Sequence, residues 1–199
     1  MTQPTLEQFL DDVKHHELTI HQNNGVYRHL TFATPNDCNQ HFNITTFPDH
    51  LVITGDMGTL VFSRLHDMFN FFRSDDLRIK PDCWDEKIQS MSRRAKDASF
   101  LEFDIDKIKE YAQKIINNFI NDNMLSKWQE EDLLKTFKSE ILRSEDEHEL
   151  VEAIRQFSFR DVDFTDFREG DYSEYRYEYI WLCYAIVWGI KKFDELNKE

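Results

Sequence analysis

Glycine and proline are scarce in this chain, with five and four residues among 199. So few backbone breakers leave little room for wandering loops and favour long regular elements. They also make a tight nucleotide cradle hard to build. No G-x-G-x-x-G, phosphate-binding loop or G-x-S-x-G stretch occurs. The three cysteines, Cys38, Cys83 and Cys183, are odd in number, far apart and form no C-x-x-C pair. That usage fits a reducing compartment in which thiols act as small hydrophobes. A long hydrophobic run is missing too. The longest, "YIWLCYAIVWGI" at 179–190, has 12 residues, short of the ~18 that would suggest a membrane span. The start, "MTQPTLEQFL", lacks a basic region followed by an apolar one, so no secretory signal is expected. The expectation is a soluble protein of the cytoplasm.

Acid, in contrast, is plentiful. The formal charge is −14, and residues 97–171 carry 20 acidic against 10 basic side chains, a net of −10. Such a surface repels phosphate backbones, which argues against direct nucleic-acid binding. It steers basic partners toward the middle of the chain, or it simply keeps an aromatic-rich protein soluble.

Thr5 with Gln8 is a capping-box pattern opening a helix at 5–16, with Leu6, Phe9, Leu10 and Val13 at helical spacing. The chain then changes to period two. Asn24-Gly25 is a hairpin signal, and strands are expected at 17–22, 26–33, 40–46, 50–55 and 59–63. Beyond Arg64 the periodicity is helical. Asp82 is placed to cap a helix bearing Trp84, Ile88 and Met91. Asp104 caps one bearing Ile105, Ile108, Ala112, Ile115 and Phe119. Ser126 with Gln129, and Ser144 with Glu147, open two more, bearing Leu134, Phe137, Ile141 and then Leu150, Ile154, Phe157. A last helix runs from about Tyr172 to Leu196 and should lie against the sheet or the bundle core. The fold class is therefore α+β. An N-terminal helix and an antiparallel β-meander of four or five strands occupy 1–91, and a helical C-terminal half occupies 92–199, packed with the first part as one globular unit.

Four constellations compete for a functional reading. Gly55-Asp56-Met57-Gly58 resembles a metal-holding Gly-Asp corner, but the Asn-His, Asp and His blocks such a site needs are missing downstream. A hairpin turn accounts for all of it, with the glycines supplying unusual backbone angles and Asp56 bonding its own backbone nearby. Seven of the eight histidines lie in the first 66 residues. Their spacing matches no zinc signature, and His29 with His41 on one sheet face is the best metal guess. This leaves a metal-dependent hydrolase as an alternative function. No metal ligand, catalytic residue or cofactor is assigned. The segment "DVDFTDFREGD" fails the calcium-loop pattern, because Asp166 and Tyr172 stand where glycine and glutamate are required. Its Asp161, Asp163, Asp166, Glu169 and Asp171, together with Glu130 and Glu131, are the candidate partner-binding residues. Finally, the last helix carries two apolar stripes, the second being Tyr177, Trp181, Tyr184 and Trp188. Such a helix is either central in its domain or covered by a partner, possible self-association into a homodimer included.

Two blocks, "FPDHLVITGDMGTLVFSRLHDMFNFFRSDDLRIKPDCWDEK" at 47–87 and "YEYIWLCYAIVWGIKKFDE" at 177–195, resemble a group of small accessory proteins of tailed phages and prophages of proteobacteria. With the N-terminal helix and meander the likeness covers 5–87 and 172–195. It carries over no catalytic residue. It implies a gene active inside an infected bacterium, where small acidic proteins without enzyme motifs often inhibit host defence, as anti-CRISPR and anti-restriction proteins do. The expected partner is a host protein complex with a basic surface that handles nucleic acid, met by an acidic face that mimics it. A self-associating structural or regulatory phage protein is a further alternative.

Overall fold

The computed structural model describes the chain apart from residues 1, 2, 38, 93–99, 160, 163, 169–171, 198 and 199. It forms two compact units. One joins 1–100 to 175–199, and the other is 101–174. The last helix thus belongs with the sheet and not with the helical middle, so the division differs from the expected 1–91 and 92–199.

The first unit opens with α1 (Leu6–Asp12), where the Thr5 hydroxyl accepts from the Gln8 N–H and Gln8 Oε1 accepts from the Thr5 N–H. Then come β1 (Glu17–Asn24), β2 (Tyr27–Ala33), β3 (Phe42–Phe47), β4 (His50–Gly55) and β5 (Gly58–Ser63). Short helices α2 (Phe69–Phe72) and α3 (Pro81–Trp84) follow, and then β6 (Ile88–Ser92). The six strands make one antiparallel meander in chain order. The sixth strand falls where a helix was expected. Ile88 and Met91 are three apart, a helical spacing. In the sheet a bulge against Val61 and Phe62 shifts the register, so that Ile88 opposes Phe62 and Met91 opposes Leu60. That one-residue slip puts both on the core face. Asp82 caps nothing; Pro81 starts α3 instead.

Inward positions alternate along the strands: Leu30 and Phe32, Phe42 and Ile44, Leu51 and Ile53, Leu60 and Phe62 are all buried. Helix α7 (Tyr177–Leu196) lies over them. Trp188 meets Phe32 with ring centroids 5.5 Å apart, and Trp181 meets Phe42 at 5.7 Å and Phe9 at 5.1 Å. Gly189 sets the approach. A Cβ there would stand 2.9 Å from Ile44 Cδ1 and 3.0 Å from Phe32 Cζ.

The β4–β5 hairpin is closed by Asp56 and Met57 between paired Gly55 and Gly58. Gly55 is required by close approach: a Cβ on it would sit 2.2 Å from the His41 carbonyl oxygen. Asp56 reaches His41 as well, through its N–H to the His41 carbonyl (3.2 Å) and its carboxylate to His41 Nδ1 (3.3 Å). The turn is therefore tied to the start of β3, whereas a bond from Asp56 to its own backbone was expected.

Among the described residues, Arg28 is the charged residue that is buried. Its guanidinium donates to both Asp67 oxygens, at 2.9 and 3.0 Å, and lies 4.3 Å over the Phe69 ring. Burial raises the Asp67 pKa, but the Arg28 hydrogen bonds and the Phe69 N–H outweigh it and hold the carboxyl below its ordinary value.

The second unit contains β7 (Leu101–Phe103), α4 (Ile105–Asp122), α5 (Lys127–Phe137), a π-helical extension (Lys138–Leu142), α6 (Glu147–Gln156) and most of β8 (Ser173–Tyr175), which pairs with β7. Asp104 caps α4, and Ser126 with Gln129 forms a capping box on α5. Asp146, and not Ser144, caps α6, accepting from the His148 and Glu149 N–H groups. The core is built by Ile108, Ala112 and Ile116 of α4, Leu133 and Phe137 of α5, Ile141, and Leu150, Ile154 and Phe157 from α6 onward. Among the described residues no helix is long and apolar enough to cross a membrane.

Two outcomes are expected. Gly55→Ala should lower stability by about 1–3 kcal/mol in urea denaturation, since the new methyl group collides with backbone that cannot swing away. Asp67→Asn should cost about 1.5–3 kcal/mol at neutral pH. The Asp67 contribution is intact above 3.8 and is lost as pH falls from there through the lower folded value. The gap between wild type and variant should close over that range.

Candidate functional site

The middle unit, 101–174, carries 20 acidic and 10 basic side chains, and its helices turn their carboxylates outward. On α5 the buried positions Leu133 and Phe137 fix the rotation of the helix. Glu131 is consequently exposed and Glu130 half-buried. In the loop after α6, Val162 and Phe164 are buried, and Phe164 packs 5.6 Å from Phe157. Phe167 stacks on Tyr172 at 5.5 Å. These apolar anchors alternate with acids and leave Asp161 and Asp166 exposed. Asp163, Glu169 and Asp171 lie outside the described residues. Among the described residues, Glu130, Glu131, Asp161 and Asp166 have no cationic partner. Lys107 is engaged, at 3.0 Å from Asp104 and 2.7 Å from Glu174, and those hydrogen bonds push its ammonium pKa up.

A carboxylate-rich hollow of about 700 Å³ opens beside the π-helical turn, lined by Ser139, Glu140, Arg143, Glu145, Asp146 and Glu149. Spacing alone did not single these residues out. They lie on three successive segments, the π-helix, the turn after it and the start of α6, and the chain path brings them round one space.

Sequence reasoning also passed over Trp128. This side chain is 67% exposed, and Met124, in the turn just before α5, is fully exposed. Glu131 and Asp132 follow Trp128 by three and four residues and so lie on its side of the helix. The usable signal was its position. Leu133, Phe137 and Ile141 recur every four residues, and Trp128 falls off that stripe. Tryptophan is among the residues enriched in binding hot spots.

The other aromatic candidates point inward. Trp181 is fully buried and donates its indole N–H to Asp12 at 2.9 Å; Trp188 is 7% exposed. Tyr177 and Tyr184 are half-buried and packed against the same core. The stripe proposed for self-association is thus spent on packing α7 within its own unit. Cys183, on the same helix, is fully buried, and burial pushes its thiol pKa up. Cys83 is exposed, and Cys38 lies outside the described residues.

The histidines do not gather as expected. His41 pairs with Asp56, and His29 faces His21. Among the described residues no three His, Cys, Asp or Glu side chains come together as a metal cluster. Comparison with protein-family models, curated proteins and solved structures finds no match.

Trp128→Ala is expected to leave stability within about 0.5 kcal/mol of wild type, whereas Trp181→Ala should cost about 3–5 kcal/mol. Urea denaturation followed by far-ultraviolet circular dichroism separates the surface tryptophan from the core one.

Proposed function

We propose that this protein is a non-enzymatic inhibitor that docks its acidic middle unit onto the basic surface of a nucleic-acid-handling protein complex. The observation that carries the reading is Trp128, exposed beside Glu131 and Asp132 in a unit of net charge −10. The carboxylates attract and orient a surface rich in lysine and arginine. Trp128 and Met124 supply the apolar contact that holds it, and the tryptophan face takes an arginine guanidinium by cation–π attraction. A groove evolved for phosphates suits such an occupant, because its charges are already arranged for an anion. The target class comes from the likeness of 47–87 and 177–195 to phage accessory proteins: a bacterial defence complex of the CRISPR or restriction kind, met in the host cytoplasm.

The test is inhibition of purified CRISPR effectors and restriction nucleases, with affinity measured at low and high salt. Binding should weaken as salt rises. Trp128→Ala should lower affinity about tenfold or more, and the double substitution Glu130→Lys with Glu131→Lys should slow association. Affinity indifferent to both salt and charge reversal rules out the nucleic-acid-mimic reading.

A further inference from the structure

The face of the six-stranded sheet turned away from α7 holds a pair of histidines that the acidic-surface reading does not use. His21 sits in the β1 bulge: Ile20 opposes Leu30, Gln22 opposes His29, and His21 is the extra residue between them. The slip brings its ring beside that of His29, with centroids 4.8 Å apart and planes inclined by 36°.

Both rings are held by threonines. His21 Nε2 lies 2.9 Å from Thr31 Oγ1. The Thr31 hydroxyl donates its one proton to Asn43 Oδ1 at 2.6 Å, and the Asn43 amide is oriented in turn by Nδ2 facing Thr54 Oγ1 at 3.5 Å. Thr31 Oγ1 must therefore accept from His21, so Nε2 carries the proton and Nδ1 keeps a lone pair. His29 Nδ1 lies 2.8 Å from Thr45 Oγ1. Among the described residues, neither His21 Nδ1 nor His29 Nε2 has a protein partner.

The two rings share with metal-ligating imidazoles their outer hydrogen bonds and their closeness. Each has one nitrogen fixed by an outer hydrogen bond and the other available. A metal about 2.0–2.1 Å from one nitrogen of each ring places the ring centroids roughly 4.5–5.2 Å apart for coordination angles between square and tetrahedral. The observed separation falls inside that range. Bulges also recur where a strand must re-aim a side chain toward a site.

We propose that His21 and His29 form a two-point chelate for a divalent d-block ion, with copper(II) bound most tightly. Imidazole donors suit copper, nickel and zinc, and affinity for a given nitrogen site peaks at copper. Magnesium and calcium require oxygen donors and are excluded. The remaining coordination positions go to water or to a donor from outside the chain.

The test is titration of the full chain with copper(II), followed by calorimetry and electron paramagnetic resonance. The first equivalent should show coupling to two nitrogens, and magnesium should give no heat. His21→Ala and His29→Ala should each weaken the first site at least tenfold. The glutamine variants at both positions, which keep the size and polarity of the surface, should do the same with unchanged circular dichroism. Retention of wild-type affinity for the first equivalent in the double variant would assign the metal to His15, His16, His41, His50 or His66 and overturn the proposal. A one-nitrogen spectrum would overturn it as well.

Discussion

The closeness of α7 to the sheet is the constraint on which the first unit depends. At Gly189 the helix comes so near β2 and β3 that a single added carbon would press on Phe32 and Ile44. That approach buries both apolar stripes of α7 at once: Trp181 and Trp188 pack on Phe32 and Phe42 of the strands and on Phe9 of α1, while Phe193 packs on Phe69 of α2. Polar pegs then set the helix lengthwise. The Tyr179 hydroxyl donates to the Pro81 carbonyl, Trp181 to Asp12, and Arg73 grips Asp194. Each joins α7 to a segment far away in sequence, so the last twenty residues complete a core begun by the first hundred.

Covering one face of the sheet leaves the other open. Outward positions on β2 to β5 carry threonine, asparagine, histidine, valine, serine, alanine and the aromatic Tyr27 and Phe47, with no lysine, arginine, aspartate or glutamate in a strongly charged chain. The hydrogen-bonded row from His21 through Thr31 and Asn43 to Thr54 organises that face. In the middle unit the division is by charge. Helical stripes of isoleucine, leucine and phenylalanine meet inside, and carboxylates are left outside. The acidic loop obeys the same rule at shorter range, with Val162, Phe164 and Phe167 tethering it and Asp161 and Asp166 facing water. The outer face of the sheet and the middle unit thus present different chemistries, the former rich in nitrogen and hydroxyl groups, the latter anionic with an aromatic anchor.

The local signals that succeeded did so because neighbouring residues decide them. Alternation in "HFNITTF", the Asn24-Gly25 turn, the capping boxes at Thr5 and Ser126, and the double stripe of α7 each act within one or two turns of chain. Periodicity, capping and charge segregation therefore settled the α+β class, the first five strands, most helices and the acidic middle directly. Two local expectations failed, since Pro81 starts α3 where Asp82 was to cap and Asp146 caps α6 in place of Ser144; the other failures were matters of register and partnership. Ile88 and Met91 have helical spacing, yet a bulge against β5 makes them strand neighbours. His21 comes beside His29 only because β1 slips by one residue. Trp181 lies on a helix patterned on two sides and is sealed because α1 and β3 close on it. Those outcomes depend on which distant segment arrives opposite, a free-energy choice among long-range contacts that no local pattern encodes.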